Sequence, residues 1–134
     1  MNAVETGIYS KLTADTGAGG LMVTATGVYH RVAPAGAVVP YVLFNKQSGV
    51  HEFALAARMW RDYLYLIKII DEGYSTARAG TLLERIDTLL NDGTITISGY
   101  SLMEMRRQSD IEYEEISDGV VYQHVGALFR IWIQ

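Results

Sequence analysis

The segment Trp60–Asp71, WRDYLYLIKIID, restricts the fold of this chain more than any other. Alternate positions give Trp60, Asp62, Leu64, Leu66, Lys68 and Ile70 on one side. Arg61, Tyr63, Tyr65, Ile67, Ile69 and Asp71 take the other. Aromatic and branched residues favour a strand, and both sides are apolar through the middle. Such a strand belongs at the centre of a sheet, with cover on each face. A helix is the expected cover on one face, and a neighbouring subunit on the other.

The helix follows directly. Ala79, Leu82, Leu83, Ile86, Leu89 and Leu90 form one apolar stripe over Thr76–Asn91, with Ser75 as N-cap. Arg78, Glu84, Arg85 and Asp87 fall off the stripe and are expected in solvent. Gly93 is expected to end the helix at positive φ. A shorter helix is predicted over Ala3–Ala14, from Val4, Ile8 and Leu12, with Glu5 and Lys11 placed to suit its dipole. Gly17–Gly20 reads as a flexible linker. It lacks the GK[ST] ending of a phosphate-binding loop.

The remaining strands are predicted at Val28–Val32, Tyr41–Lys46, Thr94–Ser98 continuing through Leu102–Gln108, and Val120–Ile133. Both prolines, Pro34 and Pro40, fall in the stretch Val32–Phe44, so its first part, Val32–Val39, is expected to be a surface connection. Ser48-Gly49 and Asp118-Gly119 are turn signals. His51–Ala57 reads as a mobile connection, and Ser109–Ser117 as an exposed acidic arm or loop. These elements predict one α+β domain spanning residues 1–134. Its sheet is mixed and mostly antiparallel, with a main helix and a shorter N-terminal helix packed mainly on one face.

Several function classes lose support. The net charge of −4 and pI near 5.3 argue against tight binding along a nucleic-acid backbone, though not against a channel that DNA traverses. The chain has no cysteine, so thiol chemistry is excluded. No apolar run approaches the ~20 residues of a membrane helix, and the N-terminus lacks a signal-peptide pattern. His30, His51 and His124 are scattered, and His51-Glu52 fails as HExxH because position 55 is Leu. Gly73-Tyr74-Ser75 and Gly99-Tyr100-Ser101 lack the closing glycine of GxSxG. Glu112 and Glu114 share a strand face, but without an enclosing pocket they read as solvated. Arg106 and Arg107 point to opposite faces, so they make no basic stripe. Tyr63 and Tyr65 read as core or interface. No catalytic residue, cofactor or metal is expected. The hydrophobic fraction of 49%, against 19% charged, suits a chain that buries an interface as well as its core.

Taken in order, several segments resemble the tail completion (tail terminator, head–tail joining) proteins of long-tailed bacteriophages. They are Ile8–Asp15, Val28-Tyr29-His30-Arg31-Val32-Ala33-Pro34, Pro40-Tyr41-Val42, the strand and helix at Trp60–Asp71 and Thr76–Leu90, and Asp118–Val125 running into Phe129-Arg130-Ile131-Trp132-Ile133. The resemblance covers nearly the whole chain and rests on the order of the segments; His51–Ala57 and Gly17–Gly20 fall outside it. It implies an α+β fold and a homo-oligomeric ring, usually of six copies. The ring caps the tail tube, stops its growth and meets the head completion or connector protein. DNA passes through it without sequence-specific binding, and no membrane is involved. The virion tail or neck is the implied location, with assembly in the host cytoplasm. Another neck or connector subunit and a small-ligand-binding domain are the alternatives. Candidate interface residues are Glu112, Glu114 and Glu115 of the acidic segment, His51, Glu52 and Phe53 of the connection, and Trp60 and Trp132 near strand ends.

Overall fold

A computed structural model describes all residues, Met1–Gln134. The helices are α1 (Ala3–Thr13), α2 (Leu21–Thr24) and α3 (Ala77–Leu90). The strands are β1 (Val28–His30), β2 (Tyr41–Ala54), β3 (Ala57–Glu72), β4 (Leu102–Ser117) and β5 (Val120–Ile133). They form one sheet in the order β1-β2-β3-β5-β4. β1 runs parallel to β2 and every other pair is antiparallel, so the fold is α+β with a mixed sheet. β3 takes the central place that its two apolar faces require. Its partners are β2, from Tyr41↔Ile70 to Ala54↔Ala57, and β5, from Arg61↔Ile133 to Glu72↔Tyr122.

The core lies on one side of the sheet. Tyr65, Ile67 and Ile69 of β3 meet Phe44 of β2, Ala127, Phe129 and Ile131 of β5, and Leu82, Leu83 and Ile86 of α3. Each fully buried aliphatic or aromatic side chain contributes roughly 1.5–3 kcal/mol. α1 adds Val4, Ile8 and Leu12 to the same cluster. Its start is fixed by a capping box: the Asn2 side chain accepts from the Glu5 amide, and the Glu5 carboxylate accepts from the Asn2 amide. Glu5 therefore does more than suit a dipole. It is buried, with the Tyr65 hydroxyl at 3.4 Å and His30 Nε2 at 3.3 Å. Burial raises the Tyr65 phenol above its ordinary pKa.

Several expectations are corrected. Ser48-Gly49 is not a turn; β2 continues through an irregularity between Lys46 and Ser48. His51–Ala57 is not a loose connection but the end of a paired hairpin, which turns at Leu55-Ala56. Ser109–Ser117 is strand, hydrogen-bonded to β5 as far as Ser117↔Val120. Thr94–Ser98 alternates like a strand but joins no ladder; Ile95 and Ile97 are buried. A Cβ at Gly7 would sit 2.7 Å from the Thr96 carbonyl oxygen, which shows how closely α1 approaches this segment. Asp92, not Gly93, takes positive φ after α3, at 54°. β1 ends at His30 because Arg31 turns to a φ of 70°. α2 was not anticipated. Its start is held by Asp15, whose carboxylate accepts from the Leu21 amide at 2.6 Å, so Gly17–Gly20 is a pinned turn rather than a free linker.

The charges off the α3 stripe are paired rather than merely solvated. Arg85 forks onto Asp15 with two contacts of 2.7 Å. Glu84 and Asp87 accept from Arg107 of β4. Arg78 binds Asp71 through Nε at 2.9 Å and Nη2 at 2.5 Å, and Asp71 is only 3% exposed. This guanidinium holds the Asp71 carboxyl below the usual carboxylate range. The stability gained is present above the unfolded carboxyl's pKa, near 4, and is lost as pH falls below it. Arg78→Ala should cost roughly 1–3 kcal/mol at pH 7, the scale of hydrogen bonds to a charged group. The gap from the parent should narrow below about pH 4, as Asp71 protonates. Urea unfolding at a series of pH values checks both.

Candidate assembly surface

The opposite face of the sheet carries no helix. Leu43, Leu64, Leu66 and Leu128 stand on it half-exposed, and none belongs to the core cluster. The second cover that β3's pattern calls for is therefore not supplied by this chain.

One part of this face is tightly built. Lys68 faces Gly126 across the β3–β5 ladder, where a Cβ would lie 2.5 Å from the Lys68 Cβ. Only glycine leaves Lys68 this room. Its ammonium donates to the Tyr113 hydroxyl on β4 at 2.8 Å. The Tyr113 ring stacks on His124, with centroids 4.4 Å apart and planes at 11°. His124 is buried, neither ring nitrogen has a hydrogen-bond partner, and the Glu115 carboxylate is 4.0 Å away, beyond hydrogen-bond reach. Burial first, and the Lys68 charge second, push the His124 pKa below its ordinary value.

The two ends of the sheet differ. At one end β2 and β3 run past the last β5 pairing, Arg61↔Ile133, as an isolated two-stranded ribbon. Phe53, Leu55 and Met59 are exposed on it, with Leu55 fully out and at a φ of 55°, and Val50 is exposed just below it, opposite Asp62. Arg58 lies over the Phe53 ring at 5.7 Å. Arg61, at the base, stacks on Tyr100 at 4.6 Å. The candidate residues His51, Glu52 and Phe53 are on this ribbon. Trp60 pairs with Glu52, and Trp132 sits opposite Asp62, so both tryptophans share the open face at the same end. Each is half-buried, and Arg130 covers the Trp132 ring at 4.6 Å while forking onto Asp62.

The acidic candidates lie at the other end. Glu112 pairs with Val125, Glu114 with Gln123, and Glu115 with Tyr122, all on the outermost strand. Glu112 and Glu114 share the helix side, whereas Glu115 faces the open side. About eight residues of β5 separate this end from Trp132, or roughly 26 Å at strand rise. The eight sequence candidates thus form two groups on opposite ends. Leu55, Arg58, Met59, Tyr113, His124 and Ile116 complete these surfaces and were not foreseen. For the ribbon the missing signal was a turn: Ala54-Leu55-Ala56-Ala57 contains no glycine, asparagine or aspartate.

A concavity of about 330 Å³ beside Trp132 gathers three arginines, but all are neutralised. Arg106 reaches Glu104 at 2.5 Å, Arg107 contacts Glu84, Asp87 and Asp110, and Arg130 holds Asp62. His30, His51 and His124 stay apart, and no three metal-ligating side chains come together.

No family model matches this chain, and no curated protein matches it. Solved structures do. A chain described as "Virion of native gene transfer agent (GTA) particle" superposes with a TM-score of 0.80 at 18% identity, covering 98% of this chain and 94% of that one. A second solved chain gives a TM-score of 0.53 at 13% identity, covering 96% and 90%. These likenesses establish the fold, which is shared end to end.

His124 yields a pH test. Its folded pKa is depressed, so the unfolded chain binds the proton first as pH falls. The protein should lose stability from about pH 6.5 downwards, above the range where its paired carboxylates titrate. His124→Phe, which keeps the ring stack, should flatten the melting temperature between pH 7 and pH 5.

Proposed function

We propose that this chain is a structural protein of a phage-like virion, acting as a tail terminator. In this reading residues 1–134 form one domain, and copies of it, six in the resembling family, close into a ring. The ring caps the finished tail tube, stops its polymerisation and offers its other side to the head completion or connector protein. DNA crosses the channel and meets a protein whose acidic balance does not retain it. The chain works through contacts, without catalytic residue or cofactor.

The observation that carries this reading is the end-to-end likeness, at nearly equal length, to a chain of the gene transfer agent virion. The tail-terminator segments of the sequence narrow the class to a position. The surfaces are consistent with a ring. In a cyclic assembly each contact joins one patch to a different patch on the neighbour. This chain carries two unlike ends and an apolar face that its own helices leave open.

The test adds purified protein to polymerising tail tube subunits. Tubes should stop short and carry one extra disc at a single end in electron micrographs, and sedimentation should detect a closed oligomer. Binding to a portal or connector but not to tubes would move the chain to another neck position. A monomer that leaves tube length unchanged would overturn the reading.

A further inference from the structure

We infer that the β2–β3 ribbon is a docking arm for a second copy of this chain, and that its seat is the acidic β4–β5 end of the neighbour. This deepens the ring reading and rests on it. The first observation is that the ribbon has no support of its own. Past Arg61 it pairs only with itself, and an isolated two-stranded ribbon is marginal in water without cover. Yet it holds out Phe53, Leu55 and Met59, and no element of its own chain packs on Leu55.

The second observation is the turn. Ala54↔Ala57 closes a two-residue loop whose first residue is at positive φ, a position that favours glycine. A leucine in that conformation, fully exposed, stabilises nothing within the chain. Its side chain has a use only where something else covers it.

The third observation is charge. Over Val50–Arg61 the ribbon carries Arg58 and Arg61 against Glu52, a net of +1, and Lys46 lies close by. Arg58, Arg61 and Lys46 add to desolvation in pushing the His51 pKa down, which marks a positive local field. Over Glu112–Asp118 the other end carries Glu112, Glu114, Glu115 and Asp118 and no cation, a net of −4, while Asp110 just before it is paired with Arg107. Ile116 is exposed and apolar on the same side of β4 as Glu112 and Glu114, and Tyr113 is exposed on the open side. An apolar arm with a cationic collar thus complements an acidic strand face that carries the exposed Ile116, and the two lie too far apart to meet within one chain. The contact is heterologous and repeats from copy to copy.

Two kinds of variant test this. The chain has no cysteine, so Leu55→Cys with Ile116→Cys introduces a single pair into a clean background. Under mild oxidation it should give a ladder of covalent multimers, whereas each single variant should stop at dimers. Arg58→Glu with Arg61→Glu, and separately Glu112→Lys with Glu114→Lys, should each weaken self-association at least tenfold in sedimentation. Combining both sets in one chain should restore most of it. Leu55→Gly should keep or raise the melting temperature while weakening assembly, which separates docking from folding. Closed oligomers with no ladder, and with unchanged association in the charge variants, would overturn this assignment and leave the ring reading standing. A monomer under every condition, tubes included, would overturn both.

Discussion

A sheet has two faces, and this chain has helices for only one. That inequality organises the rest of the molecule. β3 fixes it, because its ladders to β2 and β5 place Tyr65, Ile67 and Ile69 under α3 and leave Leu64 and Leu66 opposite with nothing to cover them. The open face carries half-exposed leucines, an Arg130–Asp62 fork and a stacked Tyr113–His124 pair.

Charge is placed just as unevenly. Asp15–Arg85 ties the linker after α1 to α3, Asp71–Arg78 ties the end of β3 to the start of α3, and Arg107 clasps α3 from β4. These pairs bind helix to sheet and leave few free ions along the body. Unpaired charge also stands at the two ends, Arg58 on the ribbon and Glu112 and Asp118 at the acidic end. The local chemistry within each end is therefore simple, even though the overall charge of −4 gives no hint of the separation.

Much of this was legible in the sequence, and the failures have physical causes. α3 and β5 were readable to within a residue, and β3 to within three, because each has a strong period and a side-chain pattern that burial enforces. Asp118-Gly119 was readable because both residues take positive φ, as a two-residue hairpin demands. Thr94–Ser98 misled because alternation reports burial of every second residue, and Ile95 and Ile97 are buried without any ladder. The acidic segment misled in the opposite sense: Glu112, Glu114 and Glu115 look like a loop, yet an edge strand tolerates charge because only one of its backbone edges is paired. The candidate surface residues were found as separate guesses. Their division into two ends could not be read, since it depends on strand order, with β5 between β3 and β4.

The ribbon beyond Arg61 has a consequence for how such a chain can change. It is held by its own ladder alone, so it can fray and re-form without disturbing the cluster of Tyr65, Ile67 and Phe129. Residues there answer to their surroundings rather than to the body's stability. Substitutions that would unfold the protein in the core are tolerated in the ribbon at little thermodynamic cost. The body can thus stay constant while the ribbon drifts with whatever it touches, and sequence divergence should concentrate where the fold is least self-supporting.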